Sequence, residues 1–78
     1  MSTLTVHFVG PVRRPGPERV AQVEREGLRT VGDLLDHLGY DPQEQRALHV
    51  LVHGVRRPVE AALAGATSVK ILVAIGGG

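Results

Sequence analysis

The residues of this chain best placed to do chemistry are three consecutive glycines, Gly76, Gly77 and Gly78, at the carboxyl end of the sequence. A terminal carboxylate carried on glycine is the least hindered acyl group that a protein can present, because no Cβ blocks attack or entry into a narrow cleft. A tail of this kind suits acyl chemistry at the Gly78 carboxylate. The alternative is a frayed or processed terminus without function.

The four histidines are the other candidates for chemistry, and His49 and His53 lie close together in the sequence. Along an extended strand, however, this spacing corresponds to ~13 Å, which is too far for the two side chains to share one metal ion. The chain has no cysteine, so a disulfide, a thiolate metal site and a thiol nucleophile are excluded. The serines lack the context of a nucleophile elbow. The glycines are not followed by a helix, as a phosphate-binding loop would require. We predict neither a metal site nor a catalytic triad.

The length of 78 residues predicts one small domain. A chain of this size buries little more than ~60% of its unfolded surface, so it has room for one modest core and none for an enclosed active site. Nine Lys and Arg residues nearly balance eight Asp and Glu residues, so no general attraction to nucleic acid or membrane is expected. The amino-terminal residues lack the charged and apolar regions of a signal peptide, and the cytoplasm is the expected location.

The first third of the chain predicts a β-hairpin. Residues 4–9 alternate large apolar with smaller polar side chains, which is typical of a half-buried strand. The proline-rich segment 11–17 predicts a turn, because proline removes a ladder donor and restricts its neighbours. A second strand is predicted at residues 18–26. In the first strand, Leu4, Val6 and Phe8 are expected to face the core. In the second, either Val20 or the pair Ala21 and Val23 can face it, and the pair is favoured.

Residues 30–39 carry the clearest helix signal of the chain. Thr30 is a suitable N-cap, Asp33 follows in a capping-box position, and Gly39 suits the left-handed conformation that ends a helix. Apolar residues recur with helical spacing and form one stripe that must be buried, and this burial outweighs the ~1 kcal/mol cost of Gly32 inside the helix. The stripe consists of Val31, Leu34, Leu35 and Leu38.

The second half of the chain predicts three more strands. After a polar connection at residues 40–46, an alternating segment at 47–53 predicts a strand, and Gly54 allows a tight turn into a short strand at 55–57. In the first of these strands the inward residues are Leu48, Val50 and Val52.

The last strand is predicted at residues 69–75, after a loop at 58–68 that contains one helical turn at 60–63. Its inward residues are Val69, Ile71, Val73 and Ile75. A helix lying across a single mixed sheet of four to five strands buries every apolar stripe at once. We therefore predict an α+β fold of the β-grasp type, in which residues 1–75 form the domain and 76–78 a flexible tail.

Four short pieces, taken in order, make the chain resemble the small sulfur-carrier proteins, a family that includes the molybdopterin-synthase small subunit and the thiamine sulfur carrier and is ubiquitin-like in fold. They are residues 9–14 at the end of the first strand, 30–35 at the start of the helix, His53-Gly54 where the family usually has an Asn-Gly turn, and Gly77-Gly78. One departure is the Ala-Gly-Ala-Thr-Ser run at 64–68, where the family usually carries an acidic Asp-Gly-Asp. This departure leaves the subfamily and the partner enzyme open.

The resemblance implies a protein co-substrate, which can also be counted as the small subunit of a sulfur-transferring synthase, and not an enzyme in itself. The Gly78 carboxylate would be adenylated by a ubiquitin-activating-type enzyme that holds ATP and Mg. Sulfur from a persulfide donor protein would then give a terminal thiocarboxylate, which passes sulfur to an acceptor synthase subunit in molybdopterin, thiamine or related biosynthesis. The chain itself is expected to bind no cofactor.

A docking surface for the activating enzyme is predicted on the outer face of the sheet. Alternation places Lys70, Leu72 and Ala74 opposite the inward side of the last strand. The same face of the preceding strand carries an apolar residue and two histidines. The predicted partner-binding residues are therefore His49, Leu51, His53, Leu72 and Ala74. The alternative is an ordinary, thinly covered sheet face.

Two other functions stay open at this stage. The chain can be a ubiquitin-like modifier that is joined through Gly78 to lysines of other proteins, or a β-grasp interaction module without tail chemistry. The pairs Arg13-Arg14 and Arg56-Arg57 are typical of solvated turns, although either pair can also meet acidic residues of a partner.

Overall fold

Five strands and two helices are present in the computed structural model, which describes residues 3–14 and 16–73. All predicted strands and the predicted main helix are observed, with small shifts at their ends. The strands are β1 (Thr3–Val9), β2 (Val20–Glu24), β3 (Leu48–Val52), β4 (Val55–Arg57) and β5 (Ser68–Val73), and the helices are α1 (Val31–His37) and α2 (Pro42–Arg46).

The strands form one mixed sheet, whose order within the described residues is β2-β1-β5-β3-β4. β1 and β2 make the predicted antiparallel hairpin. β5 runs parallel to β1 and antiparallel to β3, so the last strand of the described chain lies at the centre of the sheet. The predicted α+β architecture, with one main helix on a mixed sheet, is confirmed.

The start of α1 follows the predicted capping box. The Thr30 hydroxyl accepts a hydrogen bond from the Asp33 N–H at 3.2 Å, and the Asp33 carboxylate accepts one from the Thr30 N–H at 3.2 Å. These two bonds satisfy backbone donors that a helix leaves free at its first turn. The helix is followed by Gly39, whose φ of 91° lies in the left-handed region that favours glycine.

The core lies between α1 and one face of the sheet. The predicted inward faces of β1, β2, β3 and β5 are confirmed, and Val23 of β2 is buried whereas Val20 is 44% exposed. The whole apolar stripe of α1 is buried. Connecting segments add buried residues that alternation did not predict, namely Val12, Tyr40, Leu63 and Ala66.

The prediction for residues 40–46 is incomplete, because this polar connection contains a helix, α2, that was not predicted. Asp41 caps the helix by accepting a hydrogen bond from the Glu44 N–H at 2.7 Å, and Pro42 occupies the first turn, where a missing N–H costs nothing. No residue of α2 is buried. The helix therefore has no apolar stripe by which it could be recognised in the sequence.

The predicted helical turn at residues 60–63 is also wrong. Ala62 instead pairs with Thr30 in an isolated bridge, and the carbonyls of Val59 and Ala61 accept hydrogen bonds from the N–H groups of Gly32 (2.8 Å) and Val31 (2.9 Å). The segment is thus held against the start of α1, where it satisfies two more free donors of that helix. The carbonyls of Val59 and Ala61 and the N–H of Leu63 are hydrogen-bonded to residues 29–32, so they do not form the bonds of a local helix.

Both helices are short, with seven residues in α1 and five in α2. Within residues 3–14 and 16–73, no helix has the length and apolar character needed to cross a membrane.

Replacing Leu35 with Ala should cost about 2–5 kcal/mol, because the side chain is fully buried in the centre of the α1 stripe and its loss leaves a cavity. That is a large share of the stability of a small domain. The measurement is thermal or urea unfolding followed by circular dichroism. His37→Ala, an exposed change in the last turn of the same helix, is the matched control and should shift stability by less than about 0.5 kcal/mol. Equal melting points for the two variants would mean that α1 does not cover the sheet as described.

Candidate functional site

The candidate site lies at the end of the sheet where the described part of β5 ends, at Val73. Leu72 is paired on both sides, with Val9 of β1 and with His49 of β3. Val73 pairs with Leu48 and is the last residue that the structure describes. The predicted site residues Ala74, Gly76, Gly77 and Gly78, and the predicted strand residue Ile75, lie outside the described residues.

The row of side chains nearest to this end consists of two apolar residues and a histidine. Residues paired directly across neighbouring strands point to the same face of a sheet, so Val9, Leu72 and His49 lie side by side on the face away from α1. Val9 is 43% exposed, whereas Leu72 and His49 are half-buried by their neighbours. The Nδ1 atom of His49 is inaccessible and has no hydrogen-bond partner among the described residues.

The next row of the same face is basic at two positions. Lys70 stands between His7 of β1 and Leu51 of β3, and Leu51 is paired in turn with Arg56 of β4. Lys70 and Arg56 are exposed, and neither row contains a carboxylate. We call Val9, His49, Leu51 and Leu72 the open-face patch, with Lys70 and Arg56 as its basic flank.

The structure separates His53 from the other predicted partner-binding residues. His53 lies in the turn after β3 with a φ of 52°, and its Nε2 accepts a hydrogen bond of 3.4 Å from the N–H of Thr67. Thr67 immediately precedes β5, so His53 lies at the opposite end of that strand from Val73. In the part of the chain that the structure describes, no group of three or more His, Cys, Asp or Glu side chains is arranged to hold a metal ion.

The sequence analysis did not include Val9 in the patch, or His7 beside Lys70 in the next row. Both come from β1, and both face outward, as the alternation of β1 already implied. The sequence did not reveal which strand lies beside β1, because its parallel partner β5 is more than sixty positions away in the chain. Such a pairing leaves no local signal, and the patch could have been completed only by assuming the strand order.

On the helix side of the same end of the sheet, Arg13 is fixed by several contacts. Its Nε donates to Glu44 Oε2 at 2.6 Å, and its Nη2 donates to Glu44 Oε1 at 2.8 Å and to the Gly39 carbonyl at 2.9 Å. The guanidinium lies 5.1 Å from the centre of the Tyr40 ring, and the Tyr40 hydroxyl donates to the Arg13 carbonyl. Arg13 is therefore more than a solvated turn charge, since it ties the β1–β2 connection to α2.

This pair shifts the ionisation of both partners. The hydrogen bond from Arg13, together with that from the Asp41 N–H, lowers the pKa of Glu44 to about 2, and the hydrogen bond to Glu44 raises the pKa of Arg13. Burial raises the pKa of the Tyr40 hydroxyl. All three groups thus keep one charge state across the physiological pH range, and the pair is a fixed feature of the surface.

No protein-family model and no curated protein sequence matches this chain. Among solved structures, the crystal structure of SAMP1 from Haloferax volcanii is similar, with a TM-score of 0.73 over 99% of this chain and 100% of that one. The two sequences are 19% identical, so the likeness concerns the fold. The fold is a ubiquitin-like β-grasp. The predicted fold class is thereby confirmed.

The Glu44 carboxylate should make the acid stability of the protein depend on pH in a defined window. Because its pKa is lowered in the folded state from an ordinary 4.5 to about 2, its contribution is present above the ordinary value and is lost as the pH falls towards 2. Glu44→Gln should therefore flatten the pH dependence of unfolding in that window. Carboxyl NMR titration of Glu44 measures the pKa directly, and an ordinary value would show that the pair with Arg13 does not persist in solution.

Proposed function

We propose that this protein is a sulfur carrier whose Gly78 carboxylate is adenylated by a separate ATP-dependent enzyme and converted to a thiocarboxylate for cofactor biosynthesis. The observation that carries the proposal is the position of β5. This strand is paired with a neighbour on each side up to Leu72, and the glycines follow a few residues later in the sequence. A central strand provides a rigid base for a reactive tail, as an enzyme that must find one carboxylate requires.

The chemistry needs the tail but no acid or base from this chain. A Gly78 carboxylate oxygen attacks the α-phosphorus of ATP, and pyrophosphate leaves to give an acyl-adenylate. The outer sulfur of a protein persulfide then attacks the acyl carbon and displaces AMP, and a thiol that reduces the resulting S–S bond releases the thiocarboxylate. ATP and Mg belong to the partner, and molybdopterin and thiamine synthesis are the acceptor pathways that the sequence resemblance favours.

The open-face patch is the proposed docking surface for the activating enzyme. It combines half-buried apolar side chains with the exposed cations Lys70 and Arg56 and lies at the end of the sheet that leads to the tail. A complementary partner surface would have an apolar centre and acidic residues opposite the basic flank. On the alternation of β5, Ala74 would extend the patch by one residue.

The same fold and tail would also serve a modifier that is joined through Gly78 to lysines of other proteins. Mass spectrometry of the protein isolated from its native host separates the two functions. A gain of about 16 Da marks the replacement of one oxygen by sulfur, whereas higher-mass covalent adducts mark conjugation. Neither change would favour a binding module without tail chemistry.

Deleting Gly77 and Gly78 should abolish ATP–pyrophosphate exchange by the cognate activating enzyme and leave thermal unfolding within about one degree of the parent. The reason is that glycine has no side chain that could contribute to a core. As a matched control, a variant with one alanine appended after Gly78 keeps the whole tail and displaces only the carboxylate, and it should be equally inactive. Exchange supported by the truncated protein would refute the terminal-carboxylate mechanism.

Leu72→Asp should weaken binding to the activating enzyme at least about tenfold, because it places a carboxylate in the apolar row of the patch. The melting point should change little, since Leu72 lies outside the core. The affinity is measured by isothermal titration calorimetry. Val55→Asp is the matched control, because Val55 is 56% exposed and is paired with Val52 on the helix side of the sheet. Equal affinities of the two folded variants would remove the patch from the mechanism.

A further inference from the structure

A hollow of about 150 Å³ lies beside Val73 on the side of the sheet opposite the open-face patch. A cavity of about this volume is large enough to hold benzene, and hence one branched or aromatic side chain. Part of its lining is apolar, and another part is the ion pair between Arg13 and Glu44. The lining residues are Arg13, Tyr40, Glu44, Ala47, Leu48 and Val73.

The walls of this hollow are fixed before any partner binds. The bidentate pair between Arg13 and Glu44 joins the β1–β2 connection to α2, and the bond from Arg13 to the Gly39 carbonyl adds the end of α1. Leu48 and Val73 are held opposite each other by the pairing of β3 with β5. A site whose side chains are already ordered loses little conformational entropy when it is filled, which favours binding.

Arg13 also has donors to spare. A guanidinium has five N–H groups, and the contacts of Nε and Nη2 with Glu44 and Gly39 use the three on those two nitrogens. The two N–H groups of Nη1 have no acceptor among the described residues, and the Arg13 side chain is 52% exposed. The rim of the hollow therefore offers a pair of hydrogen-bond donors next to an apolar surface.

The position of the hollow decides what can fill it. Gly78 lies five positions after Val73, and an extended chain of five steps spans at most about 18 Å. An enzyme that holds Gly78 in a cleft must therefore approach the sheet within that distance of Val73. At this end Leu72 belongs to the open-face patch on one side of the sheet, and Val73 lines the hollow on the other side.

We propose that the hollow receives an apolar side chain of the activating enzyme, while the free Nη1 donors of Arg13 bind a carbonyl or carboxylate beside that side chain. The enzyme then contacts both faces of the sheet at the end of β5, with the open-face patch at Leu72 on one side and the hollow at Val73 on the other. This inference rests on the proposed function and extends it, because it adds a second contact surface and gives Arg13 a binding role in addition to its structural one.

The test fills the hollow from its rim. Ala47 is exposed and ends α2, so Ala47→Leu places a branched side chain in the opening without disturbing the core. With the cognate activating enzyme, the KM for this variant in ATP–pyrophosphate exchange should rise at least about tenfold with kcat retained. Ala64→Leu, at an exposed position in a loop remote from the hollow, is the matched control and should keep the parent KM. Thermal unfolding of both variants checks that they are folded.

A second pair of variants tests Arg13. Arg13→Gln and Glu44→Gln break the same ion pair, but only the second leaves the guanidinium in place. Glutamine at position 44 also retains the ability to serve the capping box of α2. If Arg13 contacts the enzyme, Arg13→Gln should raise KM at least about threefold more than Glu44→Gln.

Three results would overturn the inference, and they are distinguishable. A parent-like KM for folded Ala47→Leu, or an equal rise for Ala64→Leu, excludes the hollow as a contact. Equal KM values for Arg13→Gln and Glu44→Gln restrict Arg13 to its structural role. Absence of exchange with the unmodified protein overturns the proposed function itself, and this inference with it.

Discussion

The architecture depends on the burial of the apolar stripe of α1 against one face of the sheet. Leu34 and Leu35 are fully buried there, and the inward residues of the four longer strands meet them. One helix of seven residues covers one side only, so the opposite face keeps half-buried and exposed side chains. The open-face patch is thus a consequence of how a small two-layer domain satisfies its core.

The second constraint is the central position of β5. Its parallel pairing with β1 and antiparallel pairing with β3 hold the strand on both sides up to Leu72. Whatever follows is then attached to a fixed base. The same geometry presents two surfaces at that end, the open-face patch on one side and the hollow bordered by Arg13 on the other. Under the proposed function, a partner that acts on the tail would contact both surfaces, which would give it more contact than a flat sheet face alone.

Local patterns predicted most of the fold. The alternation in β1, the capping box at Thr30 and the helical spacing from Val31 to Leu38 each describe a free-energy preference that acts over a few residues, and all were confirmed. The errors fell where the stabilising contacts are remote. In residues 60–63, the Ala61 carbonyl accepts from the Val31 N–H of α1 and the Leu63 N–H donates to the Arg29 carbonyl just before that helix. The second helix, α2, buries nothing, so neither segment has a periodicity of its own that reports its conformation.

The candidate site divides in the same way. By itself, the sequence determined that a strongly apolar strand leads into three glycines, which is enough to suggest a tail that carries its chemistry on Gly78. It also placed His49, Leu51 and Leu72 on the outward face, because side-chain direction in a strand follows from alternation. Only the tertiary structure decided that Val9 joins them, that His53 lies at the other end of β5, and that Arg13 is bound to Glu44. These relations depend on which strands become neighbours and how loops fold over them, and chain segments far apart in sequence carry no local trace of such contacts.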